Sequence, residues 1–156
     1  MTIRLTSTAF EANGPIPVKY SGHGEDVSPP LAWSGLPAGT KELALICDDP
    51  DAPRGTWVHW VLARIPADAT GLPEGASSMK TGASPAGMLD GVNSWGKAGY
   101  GGPMPPSGTH RYVFKLCALD TELALTGKVD KAALLKAMEG HVLAAGELIG
   151  TFKSRR

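Results

Sequence analysis

Four segments carry apolar residues in patterns that predict β-strands, namely Thr2–Ser7, Lys41–Asp49, Trp57–Ile65 and His110–Asp120. The two middle segments are apolar at odd and even positions alike, which is typical of central strands covered on both faces. Strict alternation places His59, Val61, Ala63 and Ile65 on one face and Trp60 on the other. In the last segment, His110 and Tyr112 share a face with three apolar residues.

One segment near the end of the chain has the pattern of a helix. Asp130–Gly140 begins at a residue that caps helices well and ends at a glycine. Leu134, Leu135 and Met138 form its apolar face. The following segment, His141–Phe152, is ambiguous, but its β-branched and aromatic residues favour a strand.

The remaining long segments are rich in Gly and Pro and predict ordered loops. Residues 14–39 form one of them, and residues 66–108 form a second with no convincing period. A stretch of that length inside a compact domain indicates a functional loop. Long strands, one clear helix and large loops predict a mainly β (α+β) fold, a β-sandwich with one or two peripheral helices.

Composition narrows the classes of protein. The 156 residues fit a single domain, and 15 Lys and Arg balance 15 Asp and Glu. That balance argues against nucleic-acid binding and against binding to anionic membranes. No apolar segment is long enough to span a bilayer, and the first residues lack a signal-peptide core, so we expect a cytoplasmic protein. There we expect Cys47 and Cys117 to be buried thiols.

The candidate chemistry lies in two stiff loops, each followed by a strand that begins with a histidine. Asp49–Pro53 leads toward His59, and Gly101–Pro106 leads toward His110. Proline fixes the backbone, and loops at strand ends are where sites are usually built. If the two strands are neighbours, both imidazoles and Asp49 line one pocket.

Other kinds of site receive less support. Asp51 and Arg111 are more simply explained as an ion pair that braces the two loops. The two histidines lack the spacing of common metal sites, so no metal and no cofactor are expected. No GxSxG nucleophile motif occurs, and the glycine-rich GYGGP stretch enters a strand instead of a helix.

The two loops together resemble the signatures of the phosphatidylethanolamine-binding protein family, also called the Raf kinase inhibitor protein family. DPDAP (49–53) with WVHW (57–60) resembles the first signature, and GYGGPMPPSGTHRYVF (99–114) resembles the second. Segments 28–45 and 140–152 are similar to other parts of its compact bacterial and archaeal branch. The tyrosine that eukaryotic members carry before the first histidine is absent, and so is their long C-terminal helix.

The resemblance implies a β-sandwich-like fold with a small pocket that binds phosphate-type anions or phospholipid headgroups. It also implies regulation of a protein kinase or protease. The pocket residues implied by the motifs are Asp49, Pro53, Trp57, His59, Gly102, Pro103, His110 and Tyr112.

We expect an anion to meet two imidazole N–H groups and the backbone N–H near Gly102. Asp49 would repel an anion, so our hypothesis is that it orients a histidine. Two alternatives stay open: an enzyme that uses Asp49, His59 and His110 for acid–base chemistry, and an inhibitor that acts through the loop Pro103–Pro106. A homodimer would cover apolar strand faces that one helix leaves open.

Overall fold

The computed structural model describes residues 2–155 and confirms a mainly β fold with two antiparallel sheets. The smaller sheet has the order β1-β2-β5 and the larger one β6-β4-β3-β7-β8. The strands are β1 (Arg4–Thr6), β2 (Leu31–Ser34), β3 (Glu42–Asp49), β4 (Trp57–Pro66), β5 (Gly71–Leu72), β6 (Leu89–Asp90), β7 (Thr109–Leu119) and β8 (Val142–Lys153). One α-helix, α1 (Lys131–Met138), and a 3₁₀ turn at Val18–Tyr20 complete the elements.

Strand β3 lies at the centre of the larger sheet because its residues are apolar on both faces. Leu43, Leu45 and Cys47 join the cluster between the two sheets. Ala44 and Ile46 join a second cluster on the outer face, which α1 covers in part. The expectation of a strand covered on both sides is therefore confirmed, and β4 and β7 are the neighbours of β3.

Strand β4 does not alternate strictly, so the predicted sharing of one face by His59, Val61, Ala63 and Ile65 is wrong. Cys47 pairs with Trp60 and Asp48 with Val58, which leaves His59 as an extra residue. A β-bulge of this kind shifts the faces of the strand by one position. A second irregularity lies at Arg64, whose φ is 58°. Val61 and Ala63 consequently lie in the outer cluster and Ile65 in the inner one.

Two further predictions need correction. Residues 14–39 are not all loop, because they contain β2. Buried Leu31 and Trp33 alternate with exposed Ala32 and Ser34, as in a half-buried strand. The prolines and glycines on either side obscure this short pattern in the sequence. In α1, Leu134 and Met138 are buried, whereas Leu135 is exposed and does not belong to the buried face.

The predicted helix start and final strand are confirmed. Asp130 accepts a hydrogen bond from the backbone N–H of Ala133. Segment 142–153 forms β8, and a Cβ at Gly146 would lie 2.2 Å from the carbonyl oxygen of Ile3. The glycine therefore allows the N-terminal segment to cross the sheet closely.

Neither cysteine forms a disulfide: Cys47 and Cys117 are free and buried. Burial raises the pKa of both thiols. Among residues 2–155, no helix has the length and apolar character required to cross a membrane.

Candidate functional site

A pocket of about 250 Å³ opens where β3 ends and where β4 and β7 begin. Antiparallel pairing on both sides of β3 brings these strand ends together, although Asp49 and His110 are 61 residues apart. The pocket is lined by Asp49, Ala52, Pro53, Trp57, His59, Trp95, Met104, Pro105, Pro106, His110 and Tyr112.

Asp49 and His110 form a buried pair at the floor of the pocket. His110 Nδ1 lies 2.6 Å from Asp49 Oδ2, and the residues are 7% and 3% exposed. The other carboxylate oxygen, Oδ1, accepts the backbone N–H of Asp51 at 2.8 Å. Both oxygens of Asp49 are thus engaged within the protein, and Oδ2 is placed to orient the imidazole of His110.

His59 is held by a backbone carbonyl. Its Nδ1 lies 2.7 Å from the oxygen of Gly101, and because a carbonyl only accepts, Nδ1 donates. The backbone N–H of Gly101 in turn donates to the carbonyl of His59 at 3.0 Å. Desolvation lowers the pKa of His59, against the opposing effects of the Gly101 hydrogen bond and Asp49. The neutral imidazole is therefore favoured.

Aromatic rings fix the plane of the His59 ring. Trp95 and Tyr112 both approach it edge to face, each with ring centroids 5.1 Å away. Trp95 also contacts Trp57 edge to face at 5.5 Å. Trp57, Trp95 and Met104 are large apolar side chains that remain exposed at the rim. The pocket thus combines a polar floor with an apolar mouth.

The hydroxyl of Tyr112 has no hydrogen-bond partner. Within the described part of the chain, its Oη is the buried side-chain oxygen or nitrogen for which no partner is found. Burial raises the pKa of Tyr112, which therefore keeps its proton. An unpartnered buried hydroxyl beside a pocket is costly unless a ligand or water occupies the space.

Two residues implied by the family motifs do not line the pocket. The backbone N–H of Gly102 donates at 2.6 Å to Oδ1 of Asp26, a buried carboxylate, so it is not available to an anion. Pro103 accepts the backbone N–H of Gly22 through its carbonyl. These hydrogen bonds anchor the loop Gly101–Pro106 to residues 21–26. The prediction that the backbone N–H of Gly102 donates to an anion is therefore wrong.

Five lining residues were missed by the sequence analysis: Ala52, Trp95, Met104, Pro105 and Pro106. Four of them lie inside the two quoted motifs, so the motifs themselves could have indicated them. Trp95 lies in the long loop without periodicity, where nothing in the residue pattern distinguishes it. Asn93 holds it there, since Asn93 Oδ1 accepts the backbone N–H groups of Trp95 and Lys97.

Asp51 and Arg111 form the paired contact between the two loops. Arg111 donates to Asp51 from Nε, from Nη2 and from its backbone N–H, at 2.8 to 2.9 Å. These hydrogen bonds, the side-chain ones above all, lower the pKa of Asp51 to about 2. The pair lies beside the pocket and does not line it.

Replacing Arg111 by Gln is expected to raise the pKa of Asp51 from about 2 toward 3.8, the ordinary value for an aspartate. The lowered pKa contributes stability above pH 3.8, and this contribution is lost as the pH falls toward 2. Because both side chains are partly exposed, the contribution is small. An NMR titration of the carboxyl carbon measures the shift, and a pKa unchanged in the variant would contradict the role of the guanidinium.

Among the described residues, no group of three His, Cys, Asp or Glu side chains has the arrangement of a metal site. The imidazoles of the pocket are directed by a carbonyl and a carboxylate of the protein. The arrangement offers hydrogen-bonding groups in a confined space, which suits recognition of a small polar group.

Comparison with known proteins places this chain in a family. Residues 6–153 match the family model described as phosphatidylethanolamine-binding protein. A UPF0098 protein of Methanothermobacter thermautotrophicus is 50% identical over 97% of this chain and 99% of its own length. A phosphatidylethanolamine-binding protein homologue of Chlamydia trachomatis has a similar crystal structure, with a TM-score of 0.88 and 40% identity over 98% of each chain. Escherichia coli YbcL has a TM-score of 0.90 and 32% identity, over 99% of this chain and 100% of its own.

Proposed function

Because the chain belongs to the phosphatidylethanolamine-binding protein family, we propose that its pocket binds a small phosphate-type anion, free or as a phosphorylated headgroup. The observation that carries the proposal is the set of polar atoms at the floor. His59 Nε2 and His110 Nε2 have no protein partner within the described chain. Neither Nε2 is sealed from solvent, so both are accessible from the pocket.

The Asp49–His110 pair makes anion binding favourable without a permanent positive charge. A bound anion near Nε2 favours the protonated imidazole, and the Asp49 carboxylate on Nδ1 balances the resulting charge. Desolvation inside the pocket strengthens both hydrogen bonds. The volume of about 250 Å³ suits a phosphate-sized group better than a larger ligand.

The apolar rim supports binding of an anion that is attached to a larger molecule. Trp57, Trp95 and Met104 surround the opening and remain exposed. Tryptophan and methionine side chains in such positions contact the apolar part of a ligand whose polar end is buried. The rim therefore fits a headgroup as well as a free anion.

The affinity for inorganic phosphate is expected to rise as the pH falls from 8 to 6. Phosphate binding is coupled to protonation of an imidazole, a group that ordinarily titrates near pH 6.5. Burial lowers the pKa of His59, which disfavours uptake of the proton at that residue. Isothermal titration calorimetry in two buffers of different ionisation enthalpy measures the affinity and the number of protons taken up.

Phosphoethanolamine in the same titration tests the headgroup arm of the proposal. An amide-resolved NMR titration locates the binding site, with shifts expected at His59, His110 and Tyr112. Absence of binding by both anions up to millimolar concentration, or binding that persists unchanged in His110→Gln, would contradict the proposed function.

An enzyme is the second candidate function, and one observation favours it. The pocket places a neutral imidazole, His59, near an imidazole that is paired with a carboxylate, which is the arrangement of a base and an acid. A turnover screen over small phosphate esters and carbonyl compounds tests it, with His59→Ala and His110→Ala as controls. Turnover that both substitutions abolish would favour the enzyme over a binding protein.

A further inference from the structure

The two pocket histidines differ in the group that holds Nδ1. For His110 the partner is a carboxylate, Asp49 Oδ2 at 2.6 Å, whereas for His59 it is a neutral carbonyl, Gly101 O at 2.7 Å. A carboxylate stabilises a positive imidazole, which then donates from Nε2. A carbonyl fixes the proton of a neutral imidazole on Nδ1 and leaves Nε2 as an acceptor. The floor of the pocket therefore presents one donor and one acceptor.

We propose that the pocket selects an oxyanion that still carries one proton, the monoanion of a phosphomonoester. His110 donates to an ionised phosphate oxygen, and His59 accepts the hydrogen bond from the P–OH group. This inference rests on the proposed function and adds the protonation state of the ligand.

The charges around the pocket support a monoanion over a dianion. Of the described residues that line it, none is Lys or Arg, and one, Asp49, is a buried acid. A protonated His110 is already balanced by Asp49, so a dianion would bring two uncompensated charges into a desolvated space. A monoanion that donates its own hydrogen bond fits the available partners.

The surroundings of His59 disfavour a second positive charge there. The residue is 4% exposed and enclosed by the rings of Trp95 and Tyr112. The charged groups that act on it are the acids Asp49, Asp26 and Asp48, and their attraction is smaller than the cost of desolvation, which lowers its pKa. A ligand that approaches Nε2 with an acceptor oxygen would therefore leave both groups unsatisfied.

Methyl phosphate and methyl sulfate provide a matched pair of ligands. At pH 5.5 methyl phosphate is mostly a monoanion with one P–OH, while methyl sulfate has the same charge, the same methyl group and no acidic proton. We expect calorimetry to show methyl phosphate binding at least about tenfold more tightly, because an unmet buried acceptor is costly. Equal affinities would overturn the inference and leave the proposed function intact.

A second measurement in the unmodified protein reads the protons directly. Long-range ¹H–¹⁵N correlation spectra of the methyl phosphate complex are expected to show His59 neutral, with its proton on Nδ1, and His110 doubly protonated. A doubly protonated His59 in the complex would overturn the inference. If neither methyl phosphate nor inorganic phosphate binds, the proposed function fails, and the inference fails with it.

The variant Tyr112→Phe tests whether His59 or Tyr112 accepts the hydrogen bond from the P–OH group. It removes the hydroxyl while keeping the ring that packs against His59. We expect the preference for methyl phosphate to persist, because His59 keeps its place and its acceptor. Loss of the preference in this variant would assign the accepting role to Tyr112 and overturn the role given to His59.

Discussion

Replacing Asp49 by Asn is expected to weaken phosphate binding about tenfold or more and to reduce its dependence on pH. The amide no longer balances a positive imidazole on His110, so the variant loses a charge-assisted hydrogen bond to the anion. Asn keeps the size of the side chain, and its oxygen retains the bond from the backbone N–H of Asp51. The affinity and the proton uptake are measured by calorimetry at pH 6 and pH 8.

The matched control is Asp51→Asn, in the same loop. This change also removes one negative charge, but it acts on the contact with Arg111 outside the pocket. We expect phosphate affinity and its pH dependence to change little. If Asp51→Asn weakens binding as much as Asp49→Asn, the loss reflects loop geometry or net charge, and the role of Asp49 in charging His110 is wrong.

Replacing Gly102 by Ala is expected to destabilise the protein by about 3 kcal/mol, near the upper end of overpacking substitutions. A Cβ at this position would lie 2.1 Å from the carbonyl oxygen of Tyr20 and 2.8 Å from Cα of Ser21. Both are backbone atoms, which cannot move away as a flexible side chain would. Urea unfolding followed by far-ultraviolet circular dichroism measures the free energy of unfolding.

A comparison with Gly108→Ala, in the same loop, gives this prediction its sharpest form. Gly108 has a φ of 66° and open space around it, so alanine there costs only the strain of a left-handed backbone, about 1 kcal/mol. The φ of Gly102 is not positive, so the cost of placing alanine there comes from packing alone. A milder effect at Gly102 than at Gly108 would contradict the close approach of residues 20–21 to the second loop.

The sequence predicts the sheet well where burial on both faces leaves a clear pattern. Strand β3 agrees with its apolar segment because its residues are buried on both faces, and β7 agrees because buried residues alternate with more exposed ones along its first part. Strand β2 could not be predicted, since its four residues are too few for a period to stand out between prolines and glycines. The bulge in β4 was also hidden, because it depends on pairing with β3 and not on residue type.

The sequence predicts most residues of the candidate site, but it does not predict the directions of their hydrogen-bonding groups. The motifs brought Asp49, His59, His110 and Tyr112 to one pocket, as antiparallel neighbours of β3 require. The motifs carry no information on the direction of a backbone N–H. They predict Gly102 as a donor to the ligand, whereas its N–H donates to Asp26. Trp95 shows the opposite error, since a residue outside both motifs lines the pocket.

The extra residue in β4 matters for any attempt to build this pocket in another protein. On a regular strand, a histidine directly before a core tryptophan faces away from it, toward the opposite layer. Here the bulge lets His59 and Trp60 lie on the same side of the sheet, one in the pocket and one in the core beneath it. Grafting the side chains onto a regular strand would therefore direct the imidazole to the opposite face of the sheet. Grafting the β-bulge together with the side chains would recover the geometry.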